Sequence, residues 1–381
     1  MNSDDKPIDV SFVFPCLNEE KTLARCIRAV TQTLSEAPNL SFEIVVADNG
    51  STDASREIAA AAGARIVPVS RRGYGAALLG GFAAARGHHI IFADADATYL
   101  YEDALRLYKT AVEADADMAV ASRIAGNIEP GAMPSLHRYL GTPVLTGLIN
   151  RLFHGSLSDC NSGFRCFRKA AFDTWNIRST GMEFASELLI KALKKKARIV
   201  EISSGLRKNQ GRRIPHLKTW RDGMRHLLFI LSEKPQLFEI AGLLLAGVAS
   251  LLQLVSMVVG QVDLGVVSIF GIHTQVLLLL FAMLGTQLFH FGAMCYVNGD
   301  DTPRGITAAI INMDEGRLFF LLATMFLLVF LITAGSITLW GAAGFRNIHF
   351  ANILIGLVHF IAMPVSVALG LLGVHVIKRY R

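Results

Sequence analysis

The chain has 381 residues, a net charge of +6 and 52% hydrophobic residues, which is long enough for more than one folding unit. Its charges are lopsided: residues 237–381 hold only six of the 37 Lys and Arg and six of the 31 Asp and Glu, a pattern that argues against a chain soluble throughout. Five cysteines (Cys16, Cys26, Cys160, Cys166, Cys295) show no metal-type spacing, so free thiols are expected rather than a zinc or disulfide framework.

Val10 to Phe14 is a short apolar run stopped by Pro15, and Glu19 to Leu34 has helical spacing through Leu23, Cys26, Ile27 and Val30. Phe42 to Ala47 predicts a second strand ending at Asp48, after which Ser51, Thr52 and Asp53 are caps for a helix running to Ala62. A third strand over Ala64 to Val69 and an Ala- and Gly-rich helix over Gly75 to Ala85 precede the strand His89 to Ala93, which delivers Asp94. The order β-α-β-α-β-α-β predicts a mostly parallel, doubly wound α/β sheet, and ligands bind such sheets beyond the carboxyl ends of the strands. Pro15 to Glu19, Asp48 to Asp53, Arg71 to Gly75 and Asp94 to Asp96 all follow strand ends, so one crevice collects them.

Asp94-Ala95-Asp96 is the most telling of these segments. Two carboxylates one residue apart at a strand end suit Mg²⁺ or Mn²⁺, which take hard oxygen ligands and leave positions for phosphate oxygens of a nucleotide-diphosphate donor. Alone, such a triplet is as readily a solvated turn; the convergence of the loops favours the site. Gly73 and Gly75 let a backbone approach phosphate closely, beside Arg71 and Arg72, but the glycine spacing of a NAD site is absent.

Arg207 to Arg225 holds seven Lys and Arg against a single acid, Asp222, with Trp220, Met224, Leu227 and Leu228 interleaved at helical spacing. This predicts an amphipathic helix on an anionic membrane surface, in preference to a nucleic-acid patch. Beyond it, Ile240 to Gly260, Leu264 to Val297, Leu318 to Trp340 and Phe350 to Val376 carry no Asp, Glu, Lys or Arg, and each is long enough to cross a hydrocarbon core of ~30 Å. Four transmembrane helices are expected. The N-terminal segment Met1 to Asp9 is polar and does not read as a targeting peptide. Lys378, Arg379, Arg381, Arg304 and Arg317 fall on one side of the spans, so the catalytic domain and both termini are expected to be cytoplasmic, at the plasma (inner) membrane. His273, His290, His359 and His375 are read as interhelical hydrogen-bonding groups, and Pro364 as a kink in the last span. The expected organisation is residues 1–215 as a catalytic domain, 216–236 as a basic interfacial helix and 237–381 as the membrane domain.

Phe14-Pro15-Cys16-Leu17-Asn18-Glu19-Glu20, Ala47-Asp48-Asn49-Gly50-Ser51-Thr52-Asp53, Asp94-Ala95-Asp96, Ser122-Arg123 and Asp159-Cys160-Asn161-Ser162-Gly163-Phe164-Arg165 together resemble the family-2 glycosyltransferases of GT-A fold. The similarity is to the branch of dolichol-phosphate mannose or glucose synthases and polyisoprenyl-phosphate glycosyltransferases, and it runs from about Val10 to Trp220. It implies that Pro15, Leu17, Glu19, Val46 and Asp48 border the nucleoside of a UDP- or GDP-sugar, and that Asp94, Ala95 and Asp96 hold metal and diphosphate. It further implies that Arg123 and Arg207, with a basic residue such as Arg213 or Lys218, contact phosphates. Two departures lie near the donor: Asn49 where many members have Asp, and Thr98 where Gln is common. The Gln-x-x-Arg-Trp segment of processive synthases is not found, which favours transfer of a single sugar.

If the acceptor is a polyisoprenyl phosphate, its oxygen is already anionic and needs cations more than a base. Arg123 and Arg138 are the candidates, because guanidinium forks suit phosphate oxygens; Arg138 reads equally as a surface arginine. Asp159 matches a carboxylate that family-2 enzymes use as base or acceptor-positioning group. Glu187 either faces the site or is a surface charge paired with Lys191. Two other readings stay open: a non-phosphate lipid acceptor with Asp159 as base, and a non-catalytic lipid-binding scaffold. Membrane lipids are expected partners, nucleic acid is not, and a homo-oligomer is left open.

Overall fold

The structure is a computed structural model that describes residues 7–208, 219–263, 265, 268–342 and 350–379. It divides into two compact units, Met1–Ile230 and Leu231–Arg381.

The first unit runs β1 (Val10–Cys16), α1 (Leu23–Ser35), β2 (Phe42–Asp48), α2 (Ser55–Ala61), β3 (Arg65–Pro68), α3 (Tyr74–Ala84), β4 (His89–Phe92), α4 (Ala104–Glu113) and β5 (Met118–Ser122). It continues with α5 (Thr142–Phe153), β6 (Arg165–Arg168), the single turn α6 (Lys169–Phe172), α7 (Phe184–Lys194), β7 (Ile199–Ser203) and α8 (Thr219–Ser232). The seven strands form one sheet in the order β3-β2-β1-β4-β6-β5-β7. β6 runs antiparallel to both neighbours, and the pairs around it are parallel. The alternating pattern of the sequence is thus realised, with one reversed strand inserted past β4. Successive side chains of β1 feed opposite faces. Phe12 and Phe14 join a core with Leu23, Ile27 and Leu107 of α1 and α4, while Val13 joins Leu78, Phe82, Phe184 and Leu188 of α3 and α7.

Pro15 does not end β1. The strand continues to Cys16, whose carbonyl accepts from Asn49 N at 2.9 Å on the β2 side. Pro15 nitrogen therefore faces the β4 side, where pairing has already stopped at Val13 opposite Phe92, so the absent N–H loses no ladder bond. The expected helix starts also shift. Residues 19–22 form turns before α1, and α2 begins at Ser55, whose N–H donates to Asp53 Oδ1 at 3.0 Å.

Among its described residues the second unit holds four helices long and apolar enough to cross a membrane: α9 (Pro235–Val259), α10 (Ile272–Asn298), α12 (Glu315–Ala342) and α13 (Phe350–Arg379), with the short α11 (Gly305–Ile311) between α10 and α12. The expected second span, Leu264 to Val297, is too long. Of its described residues, Ser268–Ile269 pairs antiparallel with Val262–Asp263, and the helix starts only after Gly271. Close approach joins α9 to α10: a Cβ on Gly242 would sit 2.5 Å from Phe289 N, and one on Gly285 2.5 Å from Ala246 N. Small residues at both positions let the backbones meet. Of the four histidines, His359 Nε2 meets Ser250 Oγ at 3.0 Å across helices, and His375 approaches the carbonyls of Leu371 and Met313. His290 departs from the expected role, being buried with neither ring nitrogen hydrogen-bonded.

Candidate active site

Sheet register brings the motif residues to one edge. β1, β2 and β4 point their carboxyl ends there, releasing Leu17, Asn49 and Ala93 into loops. The reversed strand β6 begins at the same edge, with Arg165 opposite Phe92 and Val120, so the segment Asp159–Gly163 arrives beside Asp94 and Arg123. Gly163 shows how close this is: a Cβ there would lie 3.1 Å from Asp94 Oδ2, 3.0 Å from the Tyr99 hydroxyl and 3.3 Å from the Tyr74 hydroxyl.

The Asp94-Ala95-Asp96 turn is pinned from several sides. Tyr74 hydroxyl donates to Asp94 Oδ1 at 2.9 Å and Tyr101 hydroxyl to Asp94 O at 2.5 Å. Cys26 thiol donates to Ala95 O at 3.3 Å, and Thr98 N and Oγ1 donate to Asp96 Oδ1 at 3.1 and 2.7 Å. Burial, then the Asp94 charge, holds the Tyr74 hydroxyl well above the ordinary tyrosine range, so it stays a donor. Ala95 is buried, whereas Asp94 and Asp96 are half-buried. Two carboxylates on an immobilised turn are a donor set that fits Mg²⁺ or Mn²⁺, and the triplet is not a freely solvated one. Arg207 is drawn to the same turn through its backbone, its N–H donating to Thr98 O at 2.7 Å, while its guanidinium pairs with Glu102 Oε1 at 3.1 Å. Arg213 and Lys218 lie outside the described residues.

Among the residues expected to border a nucleoside, Asp48 is buried and its carboxylate accepts from Ser51 N, Gly50 N and the Arg56 guanidinium, the last at 2.6 Å. Burial alone would raise this carboxyl. The bonds from Ser51, Arg56 and Gly50 overcome it and hold the group below the ordinary range. Glu19 is buried, its N–H donating to Ser55 Oγ at 2.8 Å. Pro15 and Leu17 are half-buried at the edge. Val46 is corrected: its side chain lies in the core with Phe12 and Phe14, because inward and outward positions alternate along β2, so it supports the nucleoside edge without lining it. Asn49 bridges the neighbouring loops, donating to Val69 O and Arg71 O and accepting from Gly73 N at 2.8 Å. Its amide both donates and accepts here, whereas a carboxylate has no donor for those two carbonyls.

Asp159 and Arg123 form a bidentate pair, Nε to Oδ2 at 2.7 Å and the second guanidinium nitrogen to Oδ1 at 2.9 Å. Arg123 N and Asn161 N add two more bonds to the same carboxylate, each at 3.1 Å. Asp159 is fully buried; burial raises its carboxyl, and the Arg123 charge and bonds outweigh that and hold it below the ordinary range. A carboxylate has about four acceptor sites, and all are used. The expectation of Asp159 as a base is therefore at odds with this geometry, which makes it the group that aims Arg123. Arg138 lies elsewhere, in a widened turn, His137–Gly141, that leads into α5; its guanidinium sits 5.4 Å from the centre of the Tyr139 ring. Glu187 is no surface charge. It is buried and accepts from Arg178 N and Ser179 N, shaping the loop whose Thr180 carbonyl accepts from Ala76 N.

Sequence reasoning overlooked Tyr74, Tyr101, Cys26 and Arg56. For Tyr74 a signal existed, since it sits inside the Gly73–Gly75 loop that the motif search had singled out. The other three act from helices or from beneath the loop, where the sequence shows only ordinary core or surface residues.

Residues 11–175 match the profile of Glycosyl transferase family 2. The chain is 40% identical over 292 residues to the low-salt glycan biosynthesis hexosyltransferase Agl6 of Haloferax volcanii, covering 76% of this chain and 69% of that protein. It is 30% identical over 172 residues to the undecaprenyl-phosphate 4-deoxy-4-formamido-L-arabinose transferase of Salmonella choleraesuis, covering 43% of this chain and 50% of that one. Among solved structures it is similar to glucosyl-3-phosphoglycerate synthase from Mycobacterium tuberculosis in complex with Mn²⁺, UDP and glucosyl-3-phosphoglycerate, at 23% identity, 59% and 79% coverage and a TM-score of 0.48. With its mostly parallel sheet, its motif-bearing edge and this similarity over most of the hexosyltransferase, the chain belongs to glycosyl transferase family 2 and is a GT-A glycosyltransferase carrying four apolar helices of membrane-spanning length.

Proposed function

We propose that this glycosyltransferase moves a single sugar, with inversion, from a UDP- or GDP-sugar to a polyisoprenyl phosphate at the cytoplasmic face of the plasma membrane. The observation that carries the reading is the pinned Asp94–Asp96 turn at the same sheet edge as an arginine aimed by a saturated carboxylate. Leaving-group charge and acceptor charge then both meet fixed cations or their ligands. The name of the Salmonella relative, which couples a sugar to undecaprenyl phosphate, supports the acceptor class.

Asp94 and Asp96 would hold Mg²⁺ or Mn²⁺, which supplies charge neutralisation on the departing diphosphate. Among the described residues no three His, Cys, Asp or Glu side chains gather as a metal cage, so further ligands would come from donor phosphates or water. Tyr74, Tyr101 and Cys26 fix the turn before the donor arrives. Asp48, held ionised and already bonded by Gly50 N, Ser51 N and the Arg56 guanidinium, orients Arg56, whose remaining donors serve a carbonyl of the base. Arg207 lies along the diphosphate. Arg123, oriented by Asp159, binds the acceptor phosphate; the acceptor oxygen is already anionic near neutral pH, so no base is required. A neutral lipid alcohol would require one, and the four bonds on Asp159 leave it no lone pair for the task.

Orientation rests on Arg304 between α10 and α12, on Arg317 in the first turn of α12 and on Lys378 and Arg379 at the end of α13, cations of the kind that collect on the cytoplasmic side. On α8, His226 and Ile230 face the sheet-bearing unit while Arg221, Met224, Arg225 and Leu228 are exposed, a basic and apolar outer face suited to an anionic membrane surface. The test is to incubate the purified full chain with radiolabelled UDP- and GDP-sugars and a short polyprenyl phosphate, with and without Mn²⁺. Divalent-dependent label in the organic phase supports the proposal; label that appears only with a phosphate-free lipid acceptor overturns it.

A further inference from the structure

α5 buries two hydroxyls among its core residues, while the turn before it and its first residues expose apolar side chains. Its inner face holds Thr142 and Thr146 beside Ile149 and Phe153, and both hydroxyls are bonded, Thr146 Oγ1 accepting from Cys160 N at 3.1 Å and Thr142 Oγ1 from Asn161 Nδ2 at 3.3 Å. The outer face of α5 and of the turn before it carries Leu136, Tyr139, Leu140 and Val144, exposed by 42, 72, 55 and 55%. Contiguous exposed apolar side chains mark a contact site. The charges there are basic: Arg138, over the Tyr139 ring, and Arg151, exposed in the last turn of α5 seven residues on from Val144, with no Asp or Glu between Glu129 and Asp159.

We infer that this face is a wedge that enters the head-group and upper acyl region of the bilayer. The occupant follows from charge and tether. Tyrosine, leucine and valine flanked by arginines without acids match an interface rich in anionic lipid. The unit ends at Ile230, and the first helix of spanning length starts at Pro235, so a bilayer is always within reach, whereas a protein partner must be recruited. The wedge reaches the site by a short path: Thr142 bonds Asn161, Asn161 N bonds Asp159, and Asp159 aims Arg123. Lipid contact on α5 thereby sets the arginine that the proposed function assigns to the acceptor phosphate, and the inference rests on that reading only for this last consequence.

The test uses the full chain in nanodiscs of phosphatidylcholine and phosphatidylglycerol. All five native cysteines are buried, so Val144→Cys or Tyr139→Cys takes a nitroxide label selectively, with Glu113→Cys as a water-exposed reference and Leu280→Cys as a lipid-exposed one. The wedge predicts that labels at 144 and 139 collide with oxygen, as at 280, and are shielded from a water-soluble nickel chelate. A label at 144 as open to nickel as the one at 113 overturns the proposal, and so does an immobilised label closed to both reagents, which would mean a protein covers the face. Tyr139→Ser/Leu140→Ser/Val144→Ser should lower kcat/KM for a membrane-embedded acceptor by about tenfold, leave it unchanged for a short detergent-soluble acceptor, and keep the unfolding midpoint. Equal loss with both acceptors overturns the wedge. The label readout does not depend on catalysis, so a chain that transfers no sugar but shows the lipid pattern keeps the wedge and loses only the functional reading.

Discussion

The sheet-bearing unit and the helical unit bury polar groups under different rules. In the first, Asp159 spends its whole carboxylate on Arg123 and two backbone amides, and the fully buried Arg165 donates to the carbonyls of Ala185 and Cys160 at 2.9 and 2.8 Å. In the second, polar side chains pair with one another across helices: Ser250 with His359, Gln253 with Gln275 at 3.4 Å, and Glu239 with both Tyr296 and Thr307. The reason is the solvent outside. Water drives apolar side chains inward and makes every buried charge expensive unless satisfied, whereas lipid tails give helices no such drive and association rests on close packing. α12 shows the consequence, since only Leu318 of its 28 residues is buried.

Breaking the saturated pair should have the largest effect. Asp159→Ala leaves the Arg123 guanidinium, 13% exposed, without its carboxylate; about 3–5 kcal/mol of stability is expected to be lost, read as a fall in the unfolding midpoint of the sheet-bearing unit. Asp159→Asn, which keeps two acceptor sites, should lose less. The pH dependence has a definite sign. Asp48 and Asp159 are both held below the ordinary carboxylate range, so their contribution is fully present above about pH 4 and disappears as pH falls through the folded-state values. A denaturation series from pH 8 to 5 should therefore show no loss traceable to either residue, and a decline in that window that Asp159→Asn removes would refute the assignment.

Next in size are Asp94→Asn and Asp96→Asn. Each is expected to lower sugar transfer about a hundredfold or more and to weaken Mn²⁺ binding in the presence of a nucleoside diphosphate, measured by titration calorimetry, while shifting stability by less than about 1 kcal/mol. These carboxylates sit half-buried at the edge, so they should separate function from folding in a way Asp159 does not. Full activity in either variant would remove the metal from the mechanism.

Much of this division is legible in the sequence, and the gaps have physical causes. The four uncharged stretches announce the membrane unit because no buried soluble helix stays uncharged so long, and the strand-end loops announce the crevice because a parallel sheet sends them to one edge. Residues 262–269 misled because Val262, Leu264, Val266 and Val267 are as apolar as a span, and only Gly265 and Gly271 hint at the reversal. Asp159 and Arg123 were each visible as motif members, but their pairing is a product of β6 running backwards between β4 and β5, which periodicity does not encode. The outer face of α5 has helical spacing too; an apolar stripe is by habit assigned to the core, and the structure turns this one outward.

In the helical unit, Gly242→Val tests close packing. A Cβ at this position would meet Phe289 N at 2.5 Å and Gly285 O at 2.6 Å, and backbone atoms have no rotamer by which to yield. Separating α9 from α10 should cost about 1–3 kcal/mol, seen as earlier thermal unfolding of the helices in detergent, with the melting of the sheet-bearing unit unchanged. A wild-type melt would mean that the two helices are not held by backbone approach.

The smallest expected effect is also the sharpest probe of the contrast. His290 is 2% exposed, neither ring nitrogen has a hydrogen-bond partner, and its ring presses on Gly370 of α13 so closely that a Cβ there would lie 2.1 Å from Nδ1. In the sheet-bearing unit an orphaned ring of this kind would lose its hydration for nothing, and removing a partner from a buried polar group costs about 1–3 kcal/mol. Here the orphan is already unpaired, so replacing it with an apolar side chain of similar length deletes a penalty without deleting a bond. His290→Leu should therefore leave the helical unit as stable as before or raise its stability by up to about 1 kcal/mol, measured by detergent-dependent thermal unfolding. A clear loss would show that the imidazole is held by a bound water or lipid group.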